Sequence, residues 1–89
     1  MSSTKTDWVV YLLECGDGTY YCGVTNDLQQ RIHKHRMGKG AKYTKGRGPF
    51  LLLGQSGPMS KGEALSLEYR IKRLPKNKKI DAIKANWQS

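Results

Sequence analysis

Five side chains in this chain have types and spacings that could work together on a phosphate: Tyr11, Tyr21, Arg31, His35 and Glu68. A guanidinium presents a planar fork to phosphate oxygens and to the charge that builds on them during displacement. An imidazole carries a proton or donates to a phosphate near neutral pH, and a phenol can orient water or move a proton. A single carboxylate can hold a hard cation that completes its shell with water and substrate phosphate. Each residue also has a plainer use. Strand tyrosines pack, a lone histidine on an apolar stripe is a satisfied core residue, an arginine can face solvent, and Glu68 can pair with Arg31 or a nearby lysine. The combination, in a basic chain, is what points to phosphate chemistry.

The four N-terminal members fall within Trp8 to His35, and the elements that must position them can be read there. Trp8 to Cys15 is apolar on both faces, the pattern of a central strand covered on two sides. Gly16-Asp17-Gly18 marks a tight turn, and Thr19 to Thr25 returns as the second strand. A three-residue loop with Gly18 left-handed sets Tyr11 opposite Gly23 and Leu13 opposite Tyr21. Both tyrosines then share one sheet face, diagonal to each other at about 7–8 Å between Cα atoms. A two-residue loop would place them on opposite faces. A helix follows from about Asn26 or Asp27, with Thr25 or Asn26 as its cap and Asp27 complementing its dipole. Leu28, Ile32 and His35 form its inner stripe, and Arg31 lies one turn from His35.

Gly38 and Gly40 end that helix, and Lys39 to Pro49 reads as a basic, Gly-rich loop carrying Tyr43 and Thr44. Phe50 to Gly54 is a short third strand. Ser60-Lys61-Gly62-Glu63 is a capping box that opens a second helix, with Ala64, Leu67, Ile71 and Leu74 as its buried stripe. Glu68 falls inside that stripe, where a charge must be paired, protonated or bound to metal. Pro75 ends the helix. Asn77 is expected to cap a last helix, about 77–87, whose Ile80, Ile83 and Trp87 face the core. The order β-β-α-β-α-α describes an α+β fold: a small three-stranded sheet whose first two strands form an antiparallel hairpin, flanked by helices.

Eighty-nine residues are expected to make one domain, 1–89, with a small core. There is no 18-residue apolar run that could cross a membrane. The first residues, MSSTKTD, carry no apolar segment of a secretory signal, so a cytoplasmic location is expected. Cys15 and Cys22 are not opposite each other in the hairpin and read as buried thiols rather than a disulfide or zinc site. The net charge is +9, from 16 Lys and Arg against 7 Asp and Glu. Lys34, Arg36, Lys39, Lys42, Lys45 and Arg47 follow one another without an intervening acid, and Arg70, Lys72, Arg73, Lys76, Lys78 and Lys79 form a second block. Such an excess implies a polyanionic partner.

Val9-Val10-Tyr11, Tyr21-Cys22-Gly23, Arg31, His35 and Glu68 together resemble the GIY-YIG nuclease domain, over about Trp8 to Leu74. The resemblance is to its small stand-alone bacterial members of the YhbQ-like type. It implies a metal-dependent endonuclease that hydrolyses phosphodiester bonds of DNA, with work in DNA repair or processing. By that resemblance Glu68 holds one divalent metal, Mg²⁺ or Mn²⁺, and Tyr11 acts as general base or orients water. Arg31 stabilises the pentacoordinate phosphorane, while Tyr21 and His35 position the phosphate or assist proton transfer. Val9-Val10 and Cys22 depart from the family's apolar motif residues without moving either tyrosine. Many family members also use an asparagine on a later helix. Asn86 is the candidate, eighteen residues beyond Glu68, and Asn77 lies too early. With no attached DNA-binding domain expected, nucleic-acid contact falls to Lys34, Arg36, Lys39, Lys42, Tyr43, Lys45, Arg47, Arg70 and Arg73, or to a partner protein that supplies specificity. Two other readings stay open: a nucleic-acid-binding module without turnover, and a basic domain that meets an acidic protein.

Overall fold

A computed structural model describes residues 7–86. Strands β1 (Val9–Glu14), β2 (Tyr20–Thr25) and β3 (Leu51–Gln55) form one antiparallel sheet in the order β2-β1-β3. Helix α1 (Leu28–Arg36) and a short 3₁₀ turn (Lys42–Thr44) lie between β2 and β3, and α2 (Lys61–Lys72) and α3 (Lys76–Ala85) follow. The central position of β1 explains its composition, since Val9 to Leu13 are all buried.

The hairpin has the three-residue loop. Cys15 N–H donates to Thr19 O and Gly18 N–H to Cys15 O, with Gly18 at φ 85°. Tyr11 pairs with Gly23, Leu12 with Cys22 and Leu13 with Tyr21. This register divides the sheet into two faces. Val10, Leu12 and Cys22 pack with Ala64, Leu67 and Ile71 of α2 and Ile83 of α3 to make the apolar core. The opposite face carries Tyr11 and Tyr21, and His35 of α1 comes down on it. Cys15 and Cys22 are buried free thiols. Burial, reinforced by the Glu68 carboxylate, pushes the Cys22 thiol up to about 12.

Several boundaries differ from the sequence reading. Asp27, not Thr25 or Asn26, caps α1: its carboxylate accepts from Gln30 N–H, while Thr25 Oγ1 accepts from Asp27 N–H one step earlier. The third strand is Leu51–Gln55 rather than Phe50 to Gly54, and its pairing with β1 shifts between Leu12 and Leu13. Its Leu51 and Leu52 side chains are exposed along this uncharged edge of the sheet. The last helix begins at Lys76, not Asn77. Pro75 is its N-cap residue, with φ already at −58°, and Lys78 N–H donates to Pro75 O. The helix ends at Ala85, with Asn86 as its C-cap, so the expected span of 77–87 shifts toward the N-terminus. The face contact expected of Trp87 lies outside the described residues. The capping box of α2 is present: Ser60 Oγ accepts from Glu63 N–H and the Glu63 carboxylate accepts from Ser60 N–H.

Part of the second basic block serves the fold. Lys79 Nζ donates to Ile71 O at 2.8 Å and Lys72 O at 3.0 Å, carbonyls of the last turn of α2, of which Ile71 O also accepts from Leu74 N–H.

Candidate active site

Tyr11 reaches this face from the middle of the sheet. Its ring stands over Gly23, where an added Cβ would come within 2.5 Å of the phenol oxygen. A side chain at position 23 would therefore displace the hydroxyl, which gives the Tyr-x-Gly spacing a steric reason. His35 descends from the last turn of α1, 1% exposed, onto the same ring, and Tyr11 is 0% exposed. Tyr11 Oη and His35 Nε2 are 2.8 Å apart, and Arg31 Nε donates to Tyr11 Oη at 3.4 Å. Tyr21 lies half-buried beside them, its ring 6.2 Å from that of Tyr11 and 5.2 Å from His35. The hairpin register and one turn of helix thus bring Tyr11, Tyr21, Arg31 and His35 into one cluster.

The cluster is dry at its base. Burial pushes the Tyr11 phenol up to about 12, against the lowering effect of Arg31. Burial and the neighbouring Arg31 charge hold the His35 imidazole down at about 4. At neutral pH both rings are uncharged, and Arg31, held up by its bond to Tyr11, carries the positive charge.

Glu68 sits apart from the cluster. It rides on α2, with its side chain 18% exposed. Its Oε2 lies 3.4 Å from Lys72 Nζ one turn later, and the lysine is 50% exposed. Lys72 links the two regions, since its Nζ also stands 6.0 Å from the centre of the Tyr21 ring. The buried-charge problem posed by the sequence is thus met by a lysine, not by Arg31. Among the described residues no three His, Cys, Asp or Glu side chains converge as metal donors. The donor set suits a hard cation that takes one carboxylate and keeps water or phosphate as its other ligands, provided Lys72 yields.

Two contributors escaped the sequence reading, and a third serves a contact other than the one expected of it. Thr44, 1% exposed, places Oγ1 2.8 Å from His35 Nδ1. It lies in a loop without apolar period, so nothing in the pattern marked it. Lys72 was counted only within a charge block, although its i, i+4 spacing from Glu68 was visible. Tyr43, expected to contact nucleic acid, stacks on Tyr21 with ring centres 5.9 Å apart.

The expected binding residues divide into two groups. Lys34, Arg36, Lys39, Lys42 and Lys45 are exposed and form no ion pair among the described residues. Arg47 is held: its Nη1 pairs with Asp17 at 2.5 Å, its Nε donates to Tyr43 O, and its guanidinium covers the Tyr43 ring. With Gly16 N–H bonded to Arg47 O, this ties the loop to the hairpin tip. Arg73 lies over Tyr69 and donates to its hydroxyl. Arg70 lines a hollow along α2 with Glu63, Met59 and Asn86. Asn86 itself donates from Nδ2 to Ala82 O and accepts from Gly57 N–H, closing the end of α3.

The model of the GIY-YIG catalytic domain matches residues 7–81. This chain belongs to the GIY-YIG family. It is 52% identical over 82 residues to a UPF0213 protein of Nitratidesulfovibrio vulgaris, covering 90% of this chain and 74% of that one. It is 54% identical over 70 residues to a UPF0213 protein of Halalkalibacterium halodurans, covering 79% and 74%. The solution NMR structure of a UPF0213 protein from Bacillus halodurans superposes with a TM-score of 0.53 at 48% identity, covering 88% of this chain and 83% of that one. The GIY-YIG family is one of nucleases that generally use divalent metals, and this chain matches its small stand-alone members. Among the described residues no helix is long and apolar enough to cross a membrane.

Proposed function

We propose that this GIY-YIG chain is a metal-dependent endonuclease that hydrolyses phosphodiester bonds of DNA, working in the cytoplasm in DNA repair or processing. The observation that carries the reading is the bonded group Arg31–Tyr11–His35 beside Tyr21, in a chain whose exposed Lys34, Arg36, Lys39, Lys42 and Lys45 form no ion pair among the described residues. Arg31 keeps its terminal guanidinium nitrogens for the scissile phosphate and for charge developing on it. Its 3.4 Å bond to Tyr11 is long, so an anionic phosphate competes well for it. As Arg31 turns to the phosphate, the phenol oxygen opens toward the attacking water. Tyr11 takes a water proton on its oxygen while its own proton passes to His35 Nε2, leaving an imidazolium. The arriving phosphate charge favours that imidazolium and offsets the low basicity of the resting ring. Tyr21 orients the phosphate from its half-buried position.

Glu68 would hold Mg²⁺ or Mn²⁺ in exchange for Lys72, and the bound ion would supply charge for a phosphate oxygen and acidity for a coordinated water. Lys34, Arg36, Lys39, Lys42 and Lys45 hold the nucleic-acid backbone, a role that carries affinity without sequence choice. Incubation of the protein with labelled duplex, flap and single-stranded DNA, with Mg²⁺, Mn²⁺ or EDTA, tests the reading. Cleavage that EDTA stops is expected. Binding without cleavage under every metal would replace the nuclease with a binding module.

A further inference from the structure

The hydrogen bonds behind the cluster form a chain with fixed ends. At one end Arg31 Nε carries a proton and can only donate, here to Tyr11 Oη. At the other, Thr44 Oγ1 lies 2.9 Å from the Ala41 carbonyl, which can only accept. Between these ends stand Tyr11 Oη, His35 Nε2 and Nδ1, and Thr44 Oγ1, with 2.8 Å links on both sides of the imidazole. Tyr11 and Thr44 have one proton each, and a neutral imidazole has one on its ring nitrogens. Thr44 spends its proton on Ala41 O, so its oxygen must receive one from His35 Nδ1. Nε2 is then bare and receives the Tyr11 proton. The reverse tautomer would leave the Tyr11 proton without an acceptor in a fully buried site, which is costly.

We propose that Thr44 is a positioning residue: its hydroxyl, committed to the Ala41 carbonyl, keeps the His35 proton on Nδ1 and leaves Nε2 free to accept from Tyr11. Its catalytic meaning rests on the nuclease reading, because only an acceptor at Nε2 lets Tyr11 release a proton while taking one from water. The loop that carries Thr44 is held for this task. Thr44 N–H also donates to Ala41 O, Arg47 N–H donates to Thr44 O, and Arg47 is in turn clamped to Asp17. The Asp17–Arg47 pair thus stands behind the register of the threonine, although neither residue touches the imidazole.

The test reads the tautomer directly, by nitrogen–proton correlation NMR of the uniformly ¹⁵N-labelled protein at neutral pH. Wild-type His35 is expected as the Nδ1–H form. Thr44→Ser keeps the hydroxyl and should keep that form. Thr44→Val keeps the shape and removes the acceptor, so His35 should move to Nε2–H or to an exchanging mixture. A wild-type His35 already protonated on Nε2, or a Thr44→Val protein with its tautomer unchanged, overturns the proposal. Because the wild-type spectrum alone can decide, a Thr44→Val chain that fails to fold does not shelter it. In a cleavage assay Thr44→Val should lower kcat on the order of 10–100-fold with little change in KM, and Thr44→Ser should restore it. A confirmed tautomer in a protein that cuts no DNA would defeat the nuclease reading while leaving the role of Thr44 intact.

Discussion

The Tyr11–His35–Thr44 region and the Glu68–Lys72 region, linked by Lys72 over the Tyr21 ring, are built by opposite rules. The first is buried, uncharged at neutral pH and fully bonded, with each proton assigned to one acceptor. The second is an ion pair on one helix, partly open to water, with a half-exposed lysine as partner. Groups that must hold a proton on one atom gain from burial, because a low dielectric penalises every other arrangement. A carboxylate that must exchange partners gains from exposure, because an open i, i+4 pair is weak and gives way easily. The rigid half is written into the hairpin register, and the adaptable half is left on the edge of α2.

The contrast breaks first at Glu68. Glu68→Gln should lower cleavage by roughly a thousandfold or more, since it removes the proposed metal ligand. The same change should leave the melting temperature within about 2 °C, because it deletes only an open pair. DNA affinity in EDTA should stay level or tighten, as a negative charge near the phosphate is gone. A variant that cuts at the wild-type rate ends the metal-ligand assignment.

The buried half should be the part that answers to pH. His35 has a folded pKa of about 4 against an ordinary 6.5, so the unfolded chain takes up a proton that the folded chain refuses. Its contribution is complete above about pH 6.5 and is lost as pH falls toward 4, by up to about 3 kcal/mol. Arg31 faces the ring as a cation and Tyr11 as a neutral phenol, so burial and the Arg31 charge act in the same direction. Denaturant unfolding at stepped pH should show this slope, and His35→Gln should flatten it. Asp17, lowered to about 2 chiefly by its bonds to Thr19 and then by Arg47, adds its own loss only below the ordinary carboxylate range.

Tyr11→Phe sharpens the comparison from within the same half. It strips His35 Nε2 of its donor in a closed site and should cost about 1–3 kcal/mol of stability, read from the shift in denaturation midpoint. The smallest effects belong to the surface. With Lys34, Arg36, Lys39, Lys42 and Lys45 as the open cations, log K for duplex binding should fall with log salt at a slope of roughly −4 to −5. Lys42→Ala with Lys45→Ala should reduce that slope by about 2 units and weaken all sequences alike.

Much of this was legible in the chain. Gly-Asp-Gly set the loop length, and the loop length set both tyrosines on one face. The i, i+4 spacing of Arg31 and His35 set them beside each other, and Ser60 with Glu63 marked the start of α2. Thr44 was hidden because a loop residue's partner depends on how the loop folds back, and Lys39 to Pro49 has no periodicity to reveal that. Arg47 and Arg73 looked like open cations because charge counts do not show partners thirty residues away or stacking one turn back. Asn77 offers a capping side chain, but the fixed φ of Pro75 starts the helix earlier.

The exposed leucines of β3 carry a consequence for the protein in solution. Leu51 and Leu52 lie on an uncharged sheet edge, an open template for a second strand. Within β3 no charged residue blocks that edge, so the task falls to the repulsion between chains of net charge +9. Salt and polyanions both remove that repulsion. Concentrated protein should therefore stay dispersed in dilute buffer and scatter more light as ionic strength rises, and Leu51→Lys should suppress the scattering without touching the site.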